Sequence, residues 1–249
     1  MSSESPNFRS ALRALSRPYH THRPMRPGEP ALARASAARY AARHSQRQVS
    51  GRRTDPQAIM LRLFRRSETR ATIERLYGAI VAQARQPAFY TDFCVPDTVE
   101  GRLELMMLHT FLLCRRLSGG TPAERAASQE VFDLFLADLD RTLREMGIGD
   151  LSVPKKMKKI GRAFYDRTAA YDAALADPAH GELARAELAR VLARNIFERY
   201  EGATPAGAAA AMAALADYVR ASEAALAAQP PEAFLRGEAA FPAPQAEEI

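Results

Sequence analysis

From residue 69 onward, apolar side chains return every third or fourth position, and this rhythm fixes what the chain can build. Ile73, Leu76, Tyr77, Ile80, Val81 and Ala84 lie on one face of a helix expected over roughly 69–86. Gln86-Pro87 stops it, because a residue before proline disfavours the helical region. Leu103, Met106, Met107, Thr110, Phe111, Cys114 and Leu117 repeat the pattern. Phe132, Phe135, Leu136, Leu139, Leu143 and Met146 do so again. The composition, dominated by alanine and arginine with few β-branched residues, favours the same element type.

Local signals divide the chain into about six helices. Asp97 and Glu100 have capping-box spacing, which starts the second helix at Asp97, and Gly119-Gly120 ends it. The third covers about 122–146, with Pro122 in its first turn and an acidic outer face of Glu130, Asp133, Asp138 and Asp140. The fourth covers about 154–176. Two more are expected at 180–200 and 205–228, the last opened by Thr204-Pro205 and narrowed by the alanines 208–211 after Gly207. A short helix at 231–236 lies in a Pro-rich tail. The fold expected is all-α: a single compact helical bundle over 60–228, between a disordered basic tail (1–59) and a short tail (229–249).

The N-terminal segment is compositionally separate. Residues 1–55 carry eleven arginines against Glu4, Glu29 and Asp55, so the remainder of a chain of net charge +6 is net negative. Pro6, Pro18, Pro24, Pro27, Pro30 and Pro56 interrupt it. Three readings stand: a disordered basic tail, a mitochondrial transit peptide, and a start placed too early with Met60 as the natural one. The stretch Met60–Arg66 reads either as a segment lying on a membrane surface or as a first helical turn. The N-terminus lacks the hydrophobic segment of a secretory signal. Leu103 to Cys114, the longest apolar run, holds Glu104 and His109 and is too short to span a bilayer.

All four lysines fall within five positions: Lys155, Lys156, Lys158 and Lys159. On a helical wheel, Met157, Ile160, Gly161, Phe164, Thr168 and Tyr171 share the inward arc. Lys155, Lys158, Lys159 and Arg162 point outward, with Lys156 and Arg167 on one flank and Tyr165 on the other. Cations near a helix N-terminus oppose its dipole, so stability alone does not select them. Two readings remain, a solvated face and a docking patch for an acidic partner, RNA or lipid headgroups. Gly161 on the inward arc is expected to let another helix cross closely.

Catalytic and metal-binding patterns are missing. The sequence has no phosphate loop, dinucleotide fingerprint or nucleophile elbow. Cys94 and Cys114 have no zinc or redox spacing and read as small core residues of a reducing compartment. His109 reads as a satisfied, partly buried histidine, with haem or metal ligation the other reading. No cofactor, metal or enzymatic role is expected. Met106 and Met107 read as core, with an adaptable binding surface as the alternative.

Two stretches together resemble the ubiquinol–cytochrome c chaperone family. The first is Tyr77 through Arg85 with Phe89-Tyr90, continuing into Val95-Pro96-Asp97-Thr98 and Arg102 to Arg116. The second is Met157-Lys158-Lys159 through Ala163-Phe164-Tyr165-Asp166-Arg167 to Tyr171. The likeness covers roughly 70–220. It implies an all-helical chaperone that binds newly made cytochrome b until haem insertion and assembly into respiratory complex III. Mitochondrial members act with a small partner protein and associate with the ribosome exit region. By this analogy Lys155, Lys156, Lys158, Lys159, Arg162 and Arg167 are candidates for client or ribosome contact. Phe89, Tyr90 and Phe93 form a candidate apolar contact. The expected location is the cytoplasm, peripheral on the inner face of the cytoplasmic membrane, or else the matrix side of the mitochondrial inner membrane. The competing reading is a helical nucleic-acid- or ribosome-binding protein that uses its basic tail and lysine helix.

Overall fold

Helix α3 (Val99–Ser118) is buried on nearly every side, and the fold is organised around it. The computed structural model describes residues 56–176, 181–197 and 206–245, with side chains from Glu68. Among these the elements are α1 (Pro56–Ala84), α2 (Ala88–Thr91), α3, α4 (Pro122–Glu145), α5 (Val153–Leu175), α6 (Glu182–Ile196), α7 (Ala208–Ala228) and α8 (Pro231–Leu235), with no strand among them. The residues from Glu68 on belong to one compact unit. Residues 16–67 form a second unit, of which only the backbone at the start of α1 is described. The expected tail 1–59 and the Thr204-Pro205 start signal fall largely or wholly outside the described residues. Backbone helix already begins at Pro56, four residues before Met60.

A helix apolar all round belongs in the middle of a bundle. Accordingly α3 touches α4, α5, α6 and α7, and α6 packs along α7. Leu105, Leu108, Phe111, Leu113 and Leu117 of α3 meet Phe135 of α4, Phe164 and Tyr171 of α5, Leu188 and Leu192 of α6, and Leu215 and Val219 of α7 in one continuous core. α1 adds Leu76 and Ile80. It is tied in its C-terminal half by Arg75, which donates to the Arg236 carbonyl at 2.8 Å, and by the Tyr77 hydroxyl, which donates to Asp138 at 2.8 Å. Full burial of side chains of this size stabilises by about 1.5–3 kcal/mol each, which is why the core sets the fold.

The start of α3 differs from expectation. Thr98, not Asp97, is the N-cap, and its hydroxyl accepts from the Gly101 amide at 3.2 Å. Asp97 instead pairs with Arg102 at 2.6 Å, so the Asp97–Glu100 capping box does not form. Gly101 is required here, because a Cβ would come within 2.0 Å of the Pro96 carbonyl oxygen. The box appears one helix later, unforeseen. Thr121 and Glu124 cap α4 reciprocally, with Pro122 in the first turn.

Gly161 also departs from expectation. A Cβ there would touch nothing within 4 Å, so no helix crosses closely at this point. The buried positions of α5 nearest Gly161 are Phe164, Arg167, Thr168 and Tyr171, whose arc leaves Gly161 at its edge. Val153 is buried, whereas Met157 and Ile160 are half-buried, so the N-terminal half of α5 lies at the periphery. Cys114 is buried and Cys94 half-buried, and both are free thiols. Burial pushes the Cys114 thiol up to about 12, consistent with an inert core residue.

Candidate binding surface

Ser152 closes the turn before α5, donating its amide to the Gly149 carbonyl at 2.8 Å. Val153 anchors the first turn in the core, and Pro154 follows it. From there Lys155, Lys156, Lys158, Lys159 and Arg162 are all exposed. None of the four lysines joins an ion pair among the described residues. No carboxylate occurs between residues 151 and 165. The result is two turns of helix carrying five cations with no ion pair among the described residues.

Arg167 is a correction. It is only 3% exposed, and its guanidinium forms a two-pronged ion pair with the carboxylate of Glu104 on α3. A third bond runs from Nη1 to the Ala163 carbonyl at 3.1 Å. The wheel places it on a flank, but the proximity of α3 closes that flank. Arg167 therefore locks α5 to α3 rather than facing solvent.

The aromatic loop is the second correction. Phe89 and Phe93 are completely buried, with ring centroids 5.7 Å apart. Phe89 also meets His109 edge-on at 5.3 Å and Tyr218 at 5.0 Å. Loop aromatics are often surface contacts, but here α2 folds the segment back onto α3 and α7. Tyr90 alone remains half-buried. Its hydroxyl donates to the Ala84 carbonyl at 3.0 Å, and the Arg102 guanidinium lies 5.6 Å over its ring.

Beneath this loop runs a polar relay that the sequence did not announce. His109 Nδ1 lies 2.8 Å from the Leu105 carbonyl, which fixes that nitrogen as the donor. Nε2 then accepts from the Tyr218 hydroxyl at 2.8 Å, and Tyr218 accepts in turn from Gln83 Nε2 at 3.0 Å. The Gln83 amide also donates to the Pro242 carbonyl at 2.8 Å, and Phe241 packs on the His109 ring at 5.3 Å. Burial drives the His109 pKa down to about 4, so the ring is neutral at physiological pH. Both ring nitrogens are engaged, so His109 offers neither to an incoming group. It is wholly rather than partly buried.

Other surfaces offer less. A groove of about 500 Å³ lies between α7 and the C-terminal segment at Pro242–Gln245, walled largely by alanines. Its charged lining residues, Arg185 and Asp217, pair with each other at 2.6 Å. Met107 is buried and Met106 half-buried, both against the core. Among the described residues no group of three His, Cys, Asp or Glu side chains is placed to hold a metal, and no helix is long and apolar enough to cross a membrane.

The described residues thus form a helical bundle that carries on its outside a run of lysines with no ion pair among those residues. Comparison with known proteins identifies the family. The sequence profile of the ubiquinol–cytochrome c chaperone family matches residues 91–241. The crystal structure of the Cbp3 homolog from Brucella abortus superposes with a TM-score of 0.62 at 41% sequence identity, covering 73% of this chain and 96% of that one. No match is found among curated proteins. The chain belongs to the ubiquinol–cytochrome c chaperone family, whose members serve assembly of complex III.

Proposed function

We propose that this protein binds newly synthesised cytochrome b and holds it during biogenesis of ubiquinol–cytochrome c reductase, acting by binding rather than by turnover. The observation that carries the reading is the family match across 91–241, together with 41% identity to the Brucella structure over almost all of that chain. The physical arrangement supports it. Arg167, Phe89 and Phe93 are buried, whereas Lys155, Lys156, Lys158, Lys159 and Arg162 are exposed, and the reading takes these five as the contact face. These five are the positions assigned to a partner. The bundle itself is a rigid support for that face, because Val153, Phe164 and Tyr171 fix α5 in the core.

The setting proposed is peripheral, beside the membrane that receives cytochrome b. Deleting the gene is expected to lower cytochrome b and assembled complex III while the cytochrome b transcript persists. Normal complex III in the deletion strain would end the proposal. A ribosome-directed reading of the same lysines predicts association that falls steeply with salt. Ribosome co-sedimentation that is unchanged when the lysines are replaced rejects it.

A further inference from the structure

The connection between α4 and α5 carries bare apolar side chains immediately before the lysines along the chain. Leu151 is 92% exposed and Met146 is 54% exposed, two of the five large apolar side chains that stand in solvent among the described residues. Both lie in the seven-residue corner that leads into α5, and Ile148 between them is half-buried. The corner is not slack. Gly147 takes the left-handed conformation (φ 78°), its amide donates to the Arg144 carbonyl at 2.9 Å, and Ile148 donates to Leu143 at 3.2 Å. Arg144 spans the corner to Asp150, and Val153 pins its far end in the core. A braced loop with an aliphatic tip, backed by five cations, has no account in the packing of the bundle.

We infer that this corner and the lysine half of α5 form one docking surface for an anionic phospholipid bilayer. Leu151 and Met146 enter the interface, and Lys155, Lys156, Lys158, Lys159 and Arg162 lie at headgroup depth. The inference deepens the proposed function by naming the partner of its contact face, and its choice of a membrane setting rests on that reading. Two observations select lipid over nucleic acid, although both present phosphates. A nucleic acid backbone gives no return for an exposed leucine tip, whereas a bilayer removes that tip from water. The chain also uses two kinds of cation for two purposes. Its ion pairs among the described residues, such as Arg167–Glu104 and Arg116–Glu124, employ arginine. All four lysines are reserved for this one face. Lysine is a mobile point charge that suits a diffuse anionic surface, whereas arginine suits stacking and two-pronged recognition.

The test uses the full chain, sedimented with phosphatidylcholine vesicles with and without phosphatidylglycerol, and separately with purified ribosomal RNA. The wild type is expected to partition onto the anionic vesicles and not the neutral ones. The triple variant Lys155→Glu, Lys158→Glu, Lys159→Glu should lose about 100-fold or more of that partitioning. Leu151→Asp should lose about tenfold on vesicles while leaving any RNA association unchanged. All changed positions are exposed, and matching melting curves confirm that the variants fold. The arginine-rich N-terminal segment is present throughout, so it is controlled internally. If the variants bind vesicles as the wild type does, that segment or another face carries the attraction and the inference is wrong. It is equally wrong if the triple variant loses RNA while Leu151→Asp leaves vesicle binding intact. The vesicle assay needs no client, so its failure leaves the complex III phenotype of the gene deletion as an independent test of the assembly role.

Discussion

The two halves of α5 make opposite use of the same kind of side chain. In Val153–Arg162 the cations face solvent without partners, and the apolar arc beneath them is only half covered. In the half that follows, Arg167 is sealed between helices against Glu104, flanked by Phe164 and Tyr171 in the core. One helix thus changes from a surface instrument to a structural bolt within two turns. The difference teaches that charge type and wheel position do not assign a role. What decides is whether a neighbouring helix closes the flank, and α3 does so only over the second half.

The comparison predicts unequal responses to substitution. The largest effect is expected at Arg167→Met, which leaves the Glu104 carboxylate buried without its partner. This should cost about 3–5 kcal/mol of unfolding free energy in urea titrations. The double variant Arg167→Met, Glu104→Leu should recover most of it, since replacing a buried pair by apolar groups is often neutral. A single variant as stable as the wild type would dissolve the contrast between the two halves.

A second effect concerns the relay beneath the aromatic loop. His109 has a folded pKa of about 4 against 6.5 in the unfolded chain. Between those values the unfolded chain binds the extra proton. The contribution of His109 is therefore fully present above pH 6.5 and is lost as pH falls toward about 4, on the order of 3 kcal/mol. His109→Gln keeps a donor and an acceptor but no titration. Its stability should fall less steeply than that of the wild type across that window, as read by denaturant midpoints at several pH values. Parallel slopes would mean that His109 is not held neutral by burial.

Smaller effects belong to the exposed half. Gly161→Ala should raise stability by about 0.5–1 kcal/mol, or a few degrees in Tm, because a Cβ there meets open space and helical backbone is favoured. A drop in Tm would mean that the glycine is needed for a close approach after all. Smallest of all, replacing Lys155, Lys158 and Lys159 together by alanine should leave Tm unchanged or slightly higher, since cations leave an unfavourable dipole end. A fall of several degrees would show that their stems support the bundle, and the division between the two halves of α5 would fail.

Much of this was legible from residues alone. The apolar spacing of Phe132, Phe135 and Leu139 located α4 closely, and that of Ile73, Leu76 and Ile80 located the C-terminal part of α1, whose helix begins at Pro56 rather than near residue 69, because a helix that buries one face must repeat every three to four residues. The exposed lysines were equally readable: a run of cations with no nearby carboxylate has nowhere to go but water. The N-cap of α3 was misplaced by one residue because Asp97 and Thr98 are both competent caps, and Arg102 took Asp97 for an ion pair. The aromatic loop was misread because Phe89 and Phe93 follow a proline in a short irregular segment, where periodicity carries no signal.

Sequence by itself determined the element type, the order of the helices and the segregation of lysine from arginine, since these depend on neighbours within a few positions along the chain. Only the tertiary structure decided that Arg167 meets Glu104, that Tyr218 completes the hydrogen bonds of His109, and that Phe89 lies under α7. Those partners stand 63, 109 and 129 positions apart. Contacts across such separations are set by how packed faces come together, and no local pattern of residues encodes that.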